Sequence, residues 1–79
     1  MKLTLYFREY CSLCHHMLAE LRPWQDKYGF MLEVLDIDAD PVLEVRYNDW
    51  VPVLMEGETE ICHYYLDVQR LAAHLGEIR

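Results

Sequence analysis

Residues 2–14, KLTLYFREYCSLC, join an apolar run directly to a Cys-x-x-Cys pair. The run at 2–7 predicts a β-strand, and Cys11 and Cys14 follow at the point where that strand turns into a helix. A helix start offers unpaired backbone N–H groups and the positive end of the helix dipole, and both favour a thiolate over a thiol. The position of the two cysteines therefore predicts a redox role.

Length and composition predict one globular domain that covers residues 1–79. The chain is 53% hydrophobic and 27% charged, with only three Gly and three Pro, which is typical of a compact protein and not of a disordered tail. Three cysteines are an odd number, which argues against the even disulfide framework of a small secreted domain. A bridge between Cys11 and Cys14 would close a very short loop, so it would be a poor structural staple.

The charge balance excludes two classes of partner. A net charge of −7 and a pI near 4.8 would repel phosphate backbones and anionic lipid surfaces, so we expect neither a nucleic acid nor a membrane partner. The sequence shows no signal-peptide pattern and no apolar stretch of the roughly 20 residues that a membrane helix needs. We therefore expect a cytoplasmic protein, and a monomer.

The first half of the chain predicts a strand, a helix and a second strand. Apolar residues recur at helical spacing from Leu13 to Leu21, and we expect Pro23 to bend or end this helix. Gly29 closes the segment. The apolar run at 30–37 predicts a second strand buried on both faces, as in a parallel sheet. These elements form a right-handed βαβ unit.

The second half predicts a short helix, a hairpin and a final helix. Asp38 and Asp40 can cap a helix over residues 41–47, because Pro is favoured at the first helical position. Residues 53–56 and 59–63 flank a Gly-Glu turn and predict a β-hairpin. The final amphipathic helix starts from Asp67, and its apolar positions are Val68, Leu71, Leu75 and Ile78. The predicted order is β-α-β-α-β-β-α, an α/β fold.

This order, with Cys11 and Cys14 at the first strand–helix junction and Val51-Pro52 just before the third strand, resembles the glutaredoxin branch of the thioredoxin fold. It is most similar to the small glutaredoxin-like proteins of bacteria. The resemblance implies a thioredoxin-like, glutaredoxin-type α/β fold with a four-stranded mixed sheet. It also implies a thiol–disulfide oxidoreductase that uses glutathione as a co-substrate or acts on protein disulfides, without a tightly bound cofactor.

The resemblance further implies a substrate groove beside Cys11. Pro52 would be cis, and the backbone of Val51 would pair with an extended peptide or with glutathione. Arg8 matches a position where glutaredoxins often carry a lysine that meets the glutathione carboxylate. A Gly-Gly pair of the family is replaced here by Cys62-His63. The implied substrate-binding residues are Arg8, Tyr10, Val51, Pro52, Cys62 and His63, and Trp50 could form a wall of the groove.

On this hypothesis the two thiols have separate roles. Cys11, the more exposed one, attacks a substrate disulfide as a thiolate, and Cys14 resolves the mixed disulfide. Arg8 and the backbone N–H groups would stabilise the thiolate, ahead of a protonated His15 or His16, because a helix N-terminus disfavours an imidazolium.

Two alternatives stay open from the residues alone. Cys11, Cys14 and His15 fall on one helix face and could form a small metal-binding module. The resemblance implies that Cys62 or His63 would lie near that face as a fourth ligand. The domain could also be a non-catalytic adaptor that binds a protein through the Val51-Pro52 edge. Cys62 is either a small buried hydrophobe or a third thiol near Cys11.

Overall fold

The computed structural model describes residues 1–76, and its central element is a four-stranded mixed sheet. The strands lie in the order β2-β1-β3-β4; β1 and β2 are parallel, whereas β3 is antiparallel to both β1 and β4. The strands are β1 (Lys2–Phe7), β2 (Met31–Asp36), β3 (Val53–Glu56) and β4 (Thr59–His63). The helices are α1 (Ser12–Tyr28), α2 (Pro41–Tyr47) and α3 (Val68–His74), and a 3₁₀ turn (Ile37–Ala39) precedes α2. The predicted element order and the mixed sheet are confirmed.

The central strand β1 contributes to two apolar clusters on opposite faces of the sheet. Leu3, Leu5 and Phe7 point to one face and pack with residues of α1, β4 and α3. Tyr6 points to the other face, where its ring stacks on Tyr47 of α2 at 4.1 Å between centroids. Successive side chains of a strand alternate between faces, so the sheet is covered by α1 and α3 on one side and by α2 on the other.

Helix α1 runs through Pro23, so of the two expected effects an end of the helix at Pro23 is wrong, while a bend there stays a prediction. A proline inside a helix leaves the carbonyl four residues earlier without its donor. That carbonyl belongs to Ala19, and both Ala19 and Pro23 are exposed, so water can satisfy it. The helix ends instead at Gly29, which adopts a left-handed conformation (φ 70°) and donates its N–H to the Gln25 carbonyl.

Strand β2 pairs in parallel with β1 as predicted, but the expectation that it is buried on both faces is wrong. Only Leu32 and Leu35 within the strand are partly buried. The reason is topological, because β2 lies at the edge of the sheet and has only one neighbouring strand. The buried apolar side chains are those just outside the strand, Phe30 and Ile37.

The short second helix and the final helix begin where the sequence predicts. Asp40 accepts a hydrogen bond from the Val42 N–H at 2.9 Å, and Asp67 caps α3 through the Arg70 N–H at 3.0 Å. Asp38 was also expected to cap α2, and this is wrong, since its carboxylate binds the Arg8 side chain. Ile78, the last predicted apolar position of the final helix, lies outside the described residues.

None of the helices within residues 1–76 combines the length and the apolar character required to cross a membrane.

Candidate active site

Cys11 is the N-cap residue of α1. Its backbone is extended (φ −106°, ψ 110°), and its Sγ accepts a hydrogen bond from the Cys14 N–H at 3.1 Å. The sulfur thus takes the place that a Ser or Asp oxygen has in an ordinary cap. The N–H groups and the dipole at a helix start favour negative charge in general, and Cys11 is the residue of the pair that lies at this position.

Cys14 lies one turn into α1 and is fully buried among Leu5, Met17 and Leu21. Burial raises the pKa of the Cys14 thiol to about 12, and its hydrogen bond to the Cys11 sulfur acts in the same direction. Cys11 is partly exposed. The geometry therefore separates a thiol that a substrate can reach from a thiol that stays protonated beneath it.

The peptide bond between Val51 and Pro52 is cis, as the resemblance implies. Val51 and Cys11 both pack against the core cluster that contains Cys14. The Val51 N–H donates to the Tyr47 carbonyl at 3.2 Å, while the Val51 carbonyl accepts no hydrogen bond from residues 1–76. Backbone pairing of Val51 with a substrate stays a prediction, and the carbonyl is the group that is free to make it.

Arg8 directly follows β1. Its side chain binds three residues that lie in the 3₁₀ turn, in α2 and at the C-terminal end of α2. Its Nε donates to both carboxylate oxygens of Asp38, at 3.1 and 3.2 Å, and Nη2 donates to Asp38 Oδ1 at 2.9 Å. Nη1 donates to Asn48 Oδ1 at 2.7 Å, and Nη2 also lies 3.9 Å from Glu44 Oε2. The guanidinium is thus already occupied by protein acceptors, and the contact with a glutathione carboxylate stays a prediction.

Aromatic side chains form an exposed rim beside Pro52. Trp50 is 50% exposed, and its ring stacks on Tyr64 at 6.2 Å and meets the edge of His63 at 5.5 Å. Tyr64 has a left-handed backbone (φ 64°) that is held by a hydrogen bond from its N–H to the Pro52 carbonyl at 2.9 Å. Sequence reasoning missed Tyr64, because a left-handed tyrosine has no sequence signal comparable to glycine or asparagine. Tyr10 lies in the turn between β1 and α1 and is 77% exposed.

Cys62 occupies β4 opposite Leu54 and is 5% exposed. Burial raises the pKa of its thiol, so it behaves as the small buried hydrophobe that the sequence suggested. It lines an open cavity of about 390 Å³ together with five other residues. These are His63, Tyr65, Leu66, Asp67 and Arg70. A disulfide between Cys62 and Cys11 stays a prediction.

The histidines near the thiols are directed to other partners. His15 Nε2 lies 2.6 Å from the Glu9 carbonyl oxygen, and its ring meets Phe7 edge-on at 4.8 Å. His16 pairs with Glu20 at 3.2 Å on the exposed side of α1. Across residues 1–76, no group of three or more His, Cys, Asp or Glu side chains is arranged to hold a metal ion. The metal-binding alternative thus gains no support from the geometry.

A mixed sheet of order β2-β1-β3-β4, with a Cys-x-x-Cys pair at the start of α1 and a cis-proline before β3, defines a thioredoxin-fold protein. Comparison with known families agrees and is more specific. The family model described as "Glutaredoxin-like domain (DUF836)" matches residues 2–76, so the chain belongs to this glutaredoxin-like family. No match was found among curated proteins.

Solved structures with a similar fold come from several organisms. The chain is 47% identical to protein Ne2328 from Nitrosomonas europaea, with a TM-score of 0.79 over 92% of this chain and 88% of that one. It is 34% identical to target protein XcR50 from X. campestris, with a TM-score of 0.72 over 98% and 99% of the two chains. Thioredoxin 1 from Thermosipho africanus is 20% identical, with a TM-score of 0.66 over 98% and 97%, and shows the shared fold. Family and fold together support a redox-type role.

Proposed function

We propose that this protein is a thiol–disulfide oxidoreductase in which Cys11 is the nucleophile and Cys14 is the resolving thiol. The proposal is carried by one observation: the Cys11 sulfur caps α1 and accepts the Cys14 N–H at 3.1 Å, while Cys14 is buried beneath it. A capping sulfur is the attacking group that this geometry favours, and a buried neighbour within reach is a resolving group.

The proposed cycle transfers two electrons. The Cys11 thiolate attacks one sulfur of a substrate disulfide, which forms a mixed disulfide and releases the other substrate sulfur as a thiolate. Cys14 then loses its proton and attacks Cys11, which forms the Cys11–Cys14 disulfide and releases the second substrate thiol. Two thiols, for example those of two glutathione molecules that become glutathione disulfide, reduce the pair again by the same exchange. No tightly bound cofactor is needed.

The proposed partners are protein disulfides and glutathione, and the site favours an extended protein segment. The Val51 carbonyl is free for a backbone hydrogen bond, and the rim of Trp50, His63 and Tyr64 offers exposed aromatic surface beside it. Glutathione would have to use this groove without a free guanidinium at Arg8, because Asp38 and Asn48 occupy it. We propose that the protein acts as a cytoplasmic monomer.

The first test is a titration of the purified protein in glutathione redox buffers, with alkylation and mass spectrometry to count free thiols at each cysteine. We expect a reversible two-electron transition confined to Cys11 and Cys14, with a midpoint between roughly −180 and −270 mV. The matched control is Cys62→Ala, which should titrate at the same midpoint because the buried Cys62 takes no part in the cycle.

Three results would contradict the proposal. In the first, the Cys11–Cys14 pair shows no reversible transition, which would favour a binding-only adaptor. In the second, the transition requires Cys62. In the third, both thiols resist alkylation until a chelator is added, which would restore the metal-binding alternative.

A further inference from the structure

The main chain of Arg8 contacts both cysteines of the candidate site. Its carbonyl accepts the Cys11 N–H at 3.1 Å, which closes a β-turn over residues 8–11. Burial raises the pKa of Cys14, and both the backbone and the charge of Arg8 oppose that rise. The first and fourth residues of a β-turn have Cα atoms within about 7 Å, so the side chain of Arg8 starts close to that of Cys11.

The side chain of Arg8 is bound by Asp38, Glu44 and Asn48, which we call the Arg8 clamp. Each of the three guanidinium nitrogens donates to an oxygen of Asp38 or Asn48. The ring of Tyr10 lies 5.2 Å from the guanidinium carbon, and only 13% of the Arg8 side chain is exposed. A bidentate arginine–carboxylate pair fixes both the position and the direction of the guanidinium.

The clamp also changes the electrostatics of the turn. A guanidinium beside a cysteine favours its thiolate form. Here the single positive charge of Arg8 lies 2.9 Å from an Asp38 oxygen and 3.9 Å from a Glu44 oxygen, so two carboxylates offset it. The two ion pairs therefore reduce the net positive charge that Arg8 adds to the turn that bears Cys11.

We propose that Asp38 is a positioning residue for Cys11: by fixing the Arg8 guanidinium in the clamp, it offsets the positive charge beside the turn that bears Cys11 and lowers the reactivity of the thiol. The inference rests on the proposed role of Cys11 as nucleophile. It predicts that releasing Arg8 from Asp38 activates Cys11, and that this activation requires Arg8.

The test measures the rate of alkylation of Cys11 by iodoacetamide at pH 7, with mass spectrometry to assign the adduct. We expect Asp38→Asn to raise this rate about two- to fivefold, the size of a screened charge interaction near the surface. Arg8→Gln should not raise it, and the double variant Asp38→Asn/Arg8→Gln should match Arg8→Gln alone. The matched control is Asp26→Asn, which removes one exposed carboxylate near the C-terminal end of α1 and should leave the rate unchanged.

A second variant separates the clamp from the direct effect of the Asp38 charge. Asn48→Ala removes an acceptor of Arg8 without changing any charge, so it should raise the alkylation rate in the same direction by a smaller factor. It also keeps the proposal testable if Asp38→Asn lowers the stability of the fold, which thermal unfolding would show.

The proposal is overturned if Asp38→Asn leaves the rate unchanged, if its acceleration persists in the Arg8→Gln background, or if Asn48→Ala has no effect. These outcomes concern alkylation and need no turnover. They are therefore distinct from failure of the proposed function, which the redox titration of the unmodified protein would reveal as the absence of a Cys11–Cys14 transition.

Discussion

Cys14 and Cys62 are both buried thiols of the same core cluster, yet their surroundings differ in one respect. The two side chains are 0% and 5% exposed, and burial raises the pKa of both. Cys14 lies one turn into a helix whose cap is the sulfur of Cys11, whereas Cys62 interacts with the backbone of Asp67. Burial alone produces an unreactive cysteine. The second sulfur at the helix start is what supports the proposed role of Cys14 as the resolving thiol.

The largest expected effect separates the two thiols by activity. Replacing Cys14 with Ser should stop the cycle after the first attack and trap a mixed disulfide on Cys11, because no resolving thiol remains. Replacing Cys62 with Ala should leave disulfide reduction unchanged. The measurement is reduction of a protein disulfide, with intact-mass analysis of the product. A Cys62→Ala variant that loses activity would show that the two buried thiols are not as different as the structure indicates.

A smaller effect tests the structural role that we assign to Cys62. Cys62→Ser places a hydroxyl at a position that is 5% exposed, and we expect the free energy of unfolding to fall by about 1–3 kcal/mol. Cys62→Ala, which buries no polar group, should cost less. Denaturant unfolding at pH 7 measures both values. Equal stabilities of the two variants would mean that the open cavity beside Cys62 lets water reach the new hydroxyl.

A third comparison concerns the pH dependence of stability. In the unfolded chain the Cys14 thiol ionises near its ordinary value of 9.0, whereas in the folded protein its pKa is about 12. Between these values the unfolded chain binds fewer protons, so stability is intact below about pH 9 and decreases as the pH rises toward 12.

Cys14→Ala provides the comparison for this effect, because it lacks the titrating thiol and keeps the other groups. Its stability should decline less steeply over the same pH range, as followed by denaturant unfolding at several pH values. Parallel curves for the unmodified protein and Cys14→Ala would show that Cys14 ionises alike in both states.

Much of the fold follows from local signals that the structure confirms. The strand at Lys2–Phe7, the stop at Gly29 and the caps at Asp40 and Asp67 each depend on neighbouring residues in the chain. The errors occur where a distant contact outweighs a local preference. Asp38 is a good capping residue by type, but a bidentate partner, Arg8, lies thirty positions away in the chain.

The motif and the order of elements are properties of the sequence, because the spacing of Cys11 and Cys14 and the periodicity of apolar residues are local. The tertiary structure alone shows that β2 is an exposed edge, that Cys14 is fully buried and that Arg8 is bound by Asp38 and Asn48. The physical reason is that burial and ion pairing depend on contacts between segments that are far apart in the sequence. The periodicity of apolar residues does not specify those contacts.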